Sequence, residues 1–508
     1  MRAQTSALQA ADYPDVDAAR RAPRAYAIDA LRGLGFLGVV LSAAEPYAGA
    51  LPAWMYHAQE PPPAFAFKPE IAGLTLIDLV FPFFLFTMGA AIPLALTRRL
   101  ERGETLFGIV RHGVVTRFVM LLFLALFREH FDTAAVDATS AAAHQPEAYG
   151  WLLALAGFPI LFAIFTRFEG WPRARVIAVR AAGWIGAALM LTGTHFPDGA
   201  SIHWHQLDII LVIIAYGVAI GTVVWLLTRE NLLARLAIVA ILAAIRMNDG
   251  HDGWIQQLYA FQPMKGWYDF AVLQYLCIAI PGTMVGDLLV EWAQRPNFDV
   301  TRQSLFLASD APRVRYWSAA RAAGVALALV ACVPAVLVGV QGRDVLPATV
   351  VVSAICAGAA WATRRADGPT DELIRDLVRW GSFWLLLGLL LDPAEGGTHK
   401  DPPTFAWMFQ SVGLAIFVLA ALVVVIQILR RRRWVQLLVD NGENPMLAYV
   451  TYGMLLQPLF GLSGIKPWLD DRLGSFPWLY FFVWTLPLTV AVAYVVSFFT
   501  RRRVFWRS

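Results

Sequence analysis

The chain has 508 residues, of which 58% are hydrophobic and 15% are charged, and its mean hydropathy is +0.56. Soluble domains carry about 25% charged residues, so this composition excludes an ordinary soluble fold and indicates a membrane protein. The formal net charge of +4 comes without a basic surface interleaved with aromatic residues, and nucleic acid is therefore not an expected partner.

The chain begins with a polar segment that ends in several arginines. A cleaved signal has the opposite order, with a short basic stretch leading directly into an apolar core. We therefore expect residues 1–26 to be a loose cytoplasmic leader. Residues 27–508 then form one integral-membrane domain, with two candidate halves at about 27–290 and 319–500.

Apolar runs recur along the rest of the chain, and a helix needs about 20 such residues to cross a bilayer. Backbone groups in the hydrocarbon layer must be satisfied internally, and these runs are too long and too uniformly apolar for barrel strands. The sequence predicts an all-α, polytopic transmembrane helical bundle with about 11 to 14 spans. The candidate spans are residues 28–44, 74–96, 114–127, 151–165, 176–192, 207–227, 232–245, 270–289, 319–340, 346–362, 380–391, 405–429, 445–462 and 476–499.

Three of these candidates, residues 114–127, 232–245 and 380–391, are shorter than a full crossing. Each is a candidate for a broken or re-entrant helix. The distribution of Lys and Arg tests the order of the spans, because positive residues concentrate in cytoplasmic loops. With a cytoplasmic start, only 8 of the 41 Lys and Arg residues fall in outer segments, and both termini are then predicted to be cytoplasmic.

In the first span, Asp29 and Arg32 are one helical turn apart near the inner surface. They either form a snorkelling ion pair or present Arg32 to an anionic ligand on the cytoplasmic side. Asn444 opens the thirteenth span near Asn441 and Tyr449. Its amide either caps that helix or bonds a ligand.

A histidine follows the first span in a stiff outer loop that is rich in aromatic residues and proline, and this residue is His57. A histidine at the interface is either structural or a catalytic acid or base. Asp78 lies near the outer end of the next span, one turn after Thr75, where a carboxylate can orient an imidazole. Asp78 is otherwise a helix-start acid favoured by the helix dipole.

A second outer loop, residues 392–404, places Glu395, His399 and Lys400 among glycines and prolines. It either closes over a polar substrate or is a turn connector, with Thr404 capping the next helix. The outer segment 246–269 mixes acids with aromatic residues, as carbohydrate-binding surfaces and ordinary interfacial belts both do.

Cys277, Cys332 and Cys356 fall within predicted spans and lack metal-ligand spacing. We interpret them as core residues and expect neither a disulfide framework nor a thiolate metal site. His203 and His205 have a chelating spacing, but no third ligand is close in sequence, and no metal is predicted.

Five stretches of the chain are distinctive, and they are residues 27–34, 56–58, 73–86, 395–404 and 441–449. They resemble the transmembrane acyltransferases related to heparan alpha-glucosaminide N-acetyltransferase, in particular bacterial relatives that carry the DUF5009 domain. The Asp-Leu-Val-Phe-Pro-Phe-Phe block that begins at Asp78 is the most specific of these motifs, whereas the Asp-x-Leu-Arg-Gly start occurs in several groups of membrane acyltransferases.

The resemblance implies transfer of an acetyl group from cytoplasmic acetyl-CoA to a sugar on the far side of a bacterial inner membrane. Acetyl-CoA is then the acyl donor, and a carbohydrate acceptor and membrane lipid are the expected partners; association as a homodimer is left open. In this family a histidine of this loop is catalytic, which carries over to His57, with Asp78 as its partner. The linkage to the acceptor, through oxygen or nitrogen, is left open.

The remaining site residues follow from the same resemblance. The animal enzymes have a functional Asn before the His loop, where this chain has Glu45 as the candidate polar residue. We predict that Glu45, His399 and Lys400 bind the acceptor. The predicted CoA-binding residues lie toward the inner face and are Asp29, Arg32, Arg98, Arg99, Arg117 and Asn444.

The alternative function is a secondary transporter of a polar solute, which needs no acyl chemistry. A dozen spans, two candidate halves and polar residues at Pro-interrupted helices are typical of such carriers.

Overall fold

The computed structural model describes residues 25–44, 51–133, 147–195, 201–295 and 317–506. The fold is an all-α bundle, as the apolar runs predict. Two short strands, β1 (Thr166–Arg167) and β2 (Phe505–Trp506), pair antiparallel and hold the last described residues against the bundle.

The structure describes nine α-helices up to residue 295. In chain order they are α1 (Tyr26–Ala43), α2 (Ile77–Glu101), α3 (Leu106–Phe131), α4 (Glu147–Phe165), α5 (Arg173–Gly193), α6 (Ile209–Thr228), α7 (Leu232–Arg246), α8 (Trp254–Tyr259) and α9 (Phe270–Gln294).

Eight more α-helices lie in residues 317–506. They are α10 (Ala319–Gln341), α11 (Val345–Thr363), α12 (Pro369–Leu391), α13 (Phe405–Ile428), α14 (Gln436–Glu443), α15 (Pro445–Leu462), α16 (Ile465–Leu473) and α17 (Pro477–Arg501).

Within the described ranges, 11 helices are long and apolar enough to cross a membrane, and a twelfth span results if α15 and α16 are counted together. The chain bends by 80° between α15 and α16, so this pair is a broken span or a re-entrant loop. The count lies at the lower end of the predicted range.

The three short candidate spans behave differently from one another. Residues 114–127 belong to α3, a helix of 26 residues that contains a wide π turn at Ile109–Val115. Residues 380–391 are the second half of α12, whose first half carries charged residues and so hides the helix from hydropathy. Only α7, with 15 residues, stays short among the three.

Glycines allow the closest helix contacts in the bundle. A Cβ at Gly89 of α2 would lie 2.0 Å from the carbonyl oxygen of Ala279 in α9, and one at Gly282 would lie 2.3 Å from that of Phe86. Small residues at helix interfaces in membranes let the backbones approach in this way. The α2 and α9 helices therefore form a tight central pair.

Two further glycines let α1 pack closely on α14, which lies far later in the chain. A Cβ at Gly33 of α1 would lie 1.9 Å from the carbonyl oxygen of Leu438, and one at Gly442 of α14 would lie 1.8 Å from that of Asp29. Helix α1 thus packs on α14 as well as on α2, and α13 packs on α1, α2 and α9. The helices of the two candidate halves are interleaved.

We expect Gly442→Ala to destabilise the protein on the order of 1–3 kcal/mol, because the new methyl group would overlap the backbone of α1. Thermal unfolding followed by tryptophan fluorescence in detergent would measure the effect. Gly358→Ala in α11 is the matched control, since a Cβ there meets nothing within 4 Å. Equal melting temperatures for the two variants would contradict the contact.

Candidate functional site

The loop between α1 and α2 is packed against itself, which fixes the position of His57. Tyr56 is buried, accepts a hydrogen bond from the Leu51 backbone N–H at 3.2 Å and packs edge-on against Phe65. Met55 completes this small apolar cluster. His57 is the next residue along the chain, so this packing holds its backbone in place.

The His57 imidazole pairs with Asp78 at the start of α2. Its Nδ1 lies 2.7 Å from Asp78 Oδ1, and the two side chains are 18% and 2% exposed. Asp78 Oδ2 accepts three further hydrogen bonds, from Ala58 N at 3.1 Å, from Thr75 N at 3.1 Å and from Thr75 Oγ1 at 2.9 Å. Because an ionised carboxylate only accepts, it selects the tautomer with the proton on Nδ1 and leaves a lone pair on Nε2.

The loop 392–404 lies directly on residues 51–76, the described part of the loop before α2. The amide of Gln59 donates to the carbonyl of Asp401 at 2.5 Å, and its oxygen accepts from Asp401 N at 2.9 Å. Gly73 N donates to the carbonyl of Thr398 at 2.8 Å. Two segments that the sequence shows as separate loops thus form one polar layer.

This layer brings Lys400 to the histidine. The Lys400 Nζ atom lies 3.2 Å from His57 Nδ1 and 3.3 Å from Nε2. His399, its neighbour, instead bonds within its own loop, with Nδ1 3.1 Å from the carbonyl of Gly397. Glu45 lies outside the described residues.

Buried polar residues hold the second loop in shape. Asp392 pairs with both terminal nitrogens of Arg343 at 3.2 and 3.3 Å and accepts from Thr398 Oγ1 at 2.6 Å. The Glu395 carboxylate accepts from the first backbone N–H groups of α13, those of Phe405 and Ala406, at 3.0 and 2.7 Å. Burial raises the pKa of the Glu395 carboxyl, and these two donors oppose the rise.

Helix α13 is also tied to the histidine site. Thr404 caps this helix by accepting from Trp407 N at 3.3 Å, as predicted. The indole of Trp407 donates to the backbone carbonyl of Asp78 at 3.2 Å. One helix therefore positions both the second loop and the start of α2.

Three of the basic residues predicted to bind CoA, Arg98, Arg99 and Arg117, lie at the far end of α2 from Asp78. Arg98 is exposed, and Arg99 bonds Glu104 with Nε 2.6 Å from Oε2. Arg117 in α3 is close enough to Arg99 for the two positive charges to repel. Twenty residues of helix separate Asp78 from Arg98, which corresponds to about 30 Å.

Two other predicted CoA-binding positions are occupied by protein contacts. Arg32 donates to the carbonyls of Gly442 at 3.1 Å and Thr87 at 3.3 Å and lies 3.4 Å from Asp29. The buried Asn444 amide donates to the carbonyl of Val504 at 2.9 Å and accepts from Trp506 N at 3.0 Å. Both side chains join segments of the fold, and their assignment to CoA remains a prediction.

A cavity of about 490 Å³ opens near the same end of α2. Its charged lining residues are Glu101, Arg229, Glu230, Asp287 and Glu291. Asp287 pairs with Arg235, Glu291 with Arg295 and Glu230 with Arg229, so the lining has no excess of positive charge for the CoA phosphates.

A buried charged cluster near the end of α3 was missed by the sequence reasoning. Arg128 pairs with Asp208 at the start of α6, and its Nε lies 2.6 Å from Asp132 Oδ2. The Tyr449 hydroxyl donates to Asp208 at 2.9 Å and accepts from Arg128 at 3.1 Å. The sequence contains two signals for this cluster. They are Arg128 near the end of one apolar span and Asp208 at the start of another.

The candidate metal ligands are engaged separately. His203 donates its backbone N–H to His130 Nε2 at 3.0 Å, and His205 Nδ1 lies 3.0 Å from the carbonyl of Lys265. In the ranges that the structure describes, no three His, Cys, Asp or Glu side chains form a group that could hold a metal ion.

The helices define the class of the protein. It is a multi-pass, all-α protein whose helices have the length and apolarity of membrane spans. The sequence profile described as "Domain of unknown function (DUF5009)" matches residues 24–289, a little over half of the chain. The chain belongs to the DUF5009 family. No curated protein matches it.

We expect Asp78→Asn to invert the tautomer of His57. An asparagine can keep the three bonds to Ala58 and Thr75 only with its oxygen toward them, so its NH₂ group then faces Nδ1 and moves the proton to Nε2. Nitrogen-15 NMR of histidine-labelled protein above pH 8 would report the tautomer, and a His57→Ala spectrum would assign the signal. Retention of the Nδ1–H form would contradict this geometry.

We expect Arg128→Met to cost about 3–5 kcal/mol of stability, because it leaves Asp132 and Asp208 as buried carboxylates without their cation. The double variant Arg128→Met with Asp208→Asn also removes one of these charges. It should lose less stability than the sum of the losses in the two single variants. Thermal unfolding would measure both, with the exposed Arg180→Met in α5 as control. Strict additivity would show that the pair is not coupled.

Proposed function

We propose that the protein is a transmembrane acetyltransferase that moves an acetyl group from cytoplasmic acetyl-CoA to a carbohydrate on the opposite side of the membrane. The observation that carries the proposal is the pairing of His57 Nδ1 with Asp78 Oδ1 at 2.7 Å. This pairing supports a catalytic role for His57, because the imidazole is oriented, is partly exposed and can react through Nε2.

Two reaction routes fit this pair. In direct transfer, Nε2 takes the proton of the acceptor hydroxyl or amine as that group attacks the thioester carbonyl. In the covalent route, Nε2 attacks the carbonyl itself, the CoA thiolate leaves, and the acetyl group passes to the acceptor in a second step. In both routes Asp78 stabilises the positive charge that forms on the imidazole.

The arrangement along α2 supports a two-sided reaction. A basic group at one end of the helix, Arg98 and Arg99 with Arg117 beside it, suits the CoA phosphates, whereas His57 and Asp78 lie at the other end. The family resemblance supplies acetyl-CoA as donor and a sugar as acceptor, and Glu45 replaces the Asn of the animal enzymes. A bacterial inner membrane with both chain termini in the cytoplasm completes the proposal.

The test uses the purified full-length protein in lipid nanodiscs with radiolabelled acetyl-CoA and a panel of sugars: glucose, mannose, glucosamine and N-acetylglucosamine. We expect acceptor-dependent release of CoA and labelling of a sugar. His57→Ala should abolish both because the proton acceptor is removed, and its thermal unfolding would show that the variant is folded. His195→Gln, which changes an exposed histidine just after α5, is the control and should react normally.

Turnover by His57→Ala at the native rate would remove His57 from the mechanism. The alternative transporter function predicts a different outcome: flux of a sugar into proteoliposomes without any CoA release. The same protein preparation serves both measurements.

A further inference from the structure

Lys400 occupies an unusual position relative to the imidazole. Its Nζ lies almost equally far from Nδ1 and Nε2 of His57, at 3.2 and 3.3 Å. The lone pair of Nε2 lies in the plane of the ring and points directly away from it. An atom that is equally far from both ring nitrogens does not lie on that line. The ammonium therefore lies beside the ring and leaves the Nε2 lone pair accessible.

The ammonium also has N–H donors that no described residue accepts. An ammonium carries three N–H donors. Among the described residues, Lys400 Nζ contacts no hydrogen-bonding atom except the two ring nitrogens of His57, and no carboxylate oxygen lies within 4.0 Å of it. Because the next residue, Asp401, is fixed by Gln59, the cation is held in place beside the histidine.

The charges of the site sum to zero before the reaction. They sum to zero during the reaction only if Lys400 is present. Asp78 is negative, Lys400 is positive and the imidazole is neutral. When the acceptor O–H bond breaks and the new C–O bond forms, the proton goes to Nε2 and the carbonyl electron pair goes to oxygen. The imidazolium is then paired with Asp78, and the oxyanion requires a cation of its own.

We infer that the Lys400 ammonium stabilises the oxyanion that forms on the thioester carbonyl, whether the acceptor or His57 Nε2 attacks that carbonyl. The inference rests on the proposed acyl transfer. The oxyanion collapses when the C–S bond breaks. In direct transfer the CoA thiolate takes the proton from Nε2; in the covalent route it takes the proton that the acceptor loses when the acetyl group passes to it from Nε2. No further reactant is required. Lys400 thereby changes from the predicted acceptor-binding residue to a catalytic residue.

The first experiment compares Lys400→Gln and Lys400→Arg in the acetyl-CoA assay. Loss of one oxyanion donor lowers kcat by about 10²–10³ in other enzymes, and we expect a fall of that order for Lys400→Gln. The KM for acetyl-CoA should change less than about threefold, since the ground state makes no such contact. Lys400→Arg keeps the charge and should recover at least part of the rate.

A kcat for Lys400→Gln within a few-fold of the native value would overturn the inference. So would a loss confined to KM, which would leave Lys400 as a binding residue. Melting temperatures of both variants guard against misfolding, and Lys400→Arg separates loss of charge from loss of packing.

The second experiment does not depend on acetyl-CoA turnover. Diethyl pyrocarbonate acylates imidazole through an oxyanion on its own carbonyl, with ethyl carbonate as the leaving group. Peptide mass spectrometry would give the rate of modification at His57. Lys400→Gln should slow this reaction several-fold if the cation stabilises the oxyanion.

An unchanged or faster modification in Lys400→Gln would overturn the inference, because removal of a cation that only withdraws electrons from the ring would accelerate attack. If the native protein releases no CoA with any sugar, the proposed function fails. The pyrocarbonate rates then still decide whether Lys400 assists addition to a carbonyl at His57.

Discussion

The Asp78 carboxylate is the interaction on which the site depends. One oxygen faces His57, and the other accepts from two backbone N–H groups and one hydroxyl of the loop before α2. A nearly buried carboxylate is costly unless its lone pairs are satisfied, and here the chain around it supplies the donors. The same group therefore ties the loop to the start of α2 and selects the histidine tautomer.

Much of the fold was predictable because hydropathy and helix length are local properties of the sequence. The apolar runs predicted the helices, and the spacing of Asp78 one turn after Thr75 predicted a carboxylate able to orient a histidine in the preceding loop. Hydropathy failed for α12, because its first half carries charged residues. Asp376 pairs with Arg375 and Arg379 of the same helix, and Glu372 pairs with Arg295 at the end of α9.

The rest could not be predicted because it depends on contacts between distant residues. Lys400 lies 343 residues from His57 in sequence, and no local pattern places its ammonium beside the ring. Arg128 and Tyr449 are 321 residues apart and meet only in the folded bundle. Asn444 was a reasonable ligand candidate by type, yet its amide holds the backbone of the last described residues.

The glycine contact between α1 and α14 has a consequence for biosynthesis. The first helix leaves the ribosome long before its partner, and its Gly33 face lies against backbone that belongs to residue 438. Until that later segment is synthesised, this face of α1 lacks the backbone on which it packs in the folded protein. A chain that stops before α14 therefore lacks the contact that holds its first helix in place.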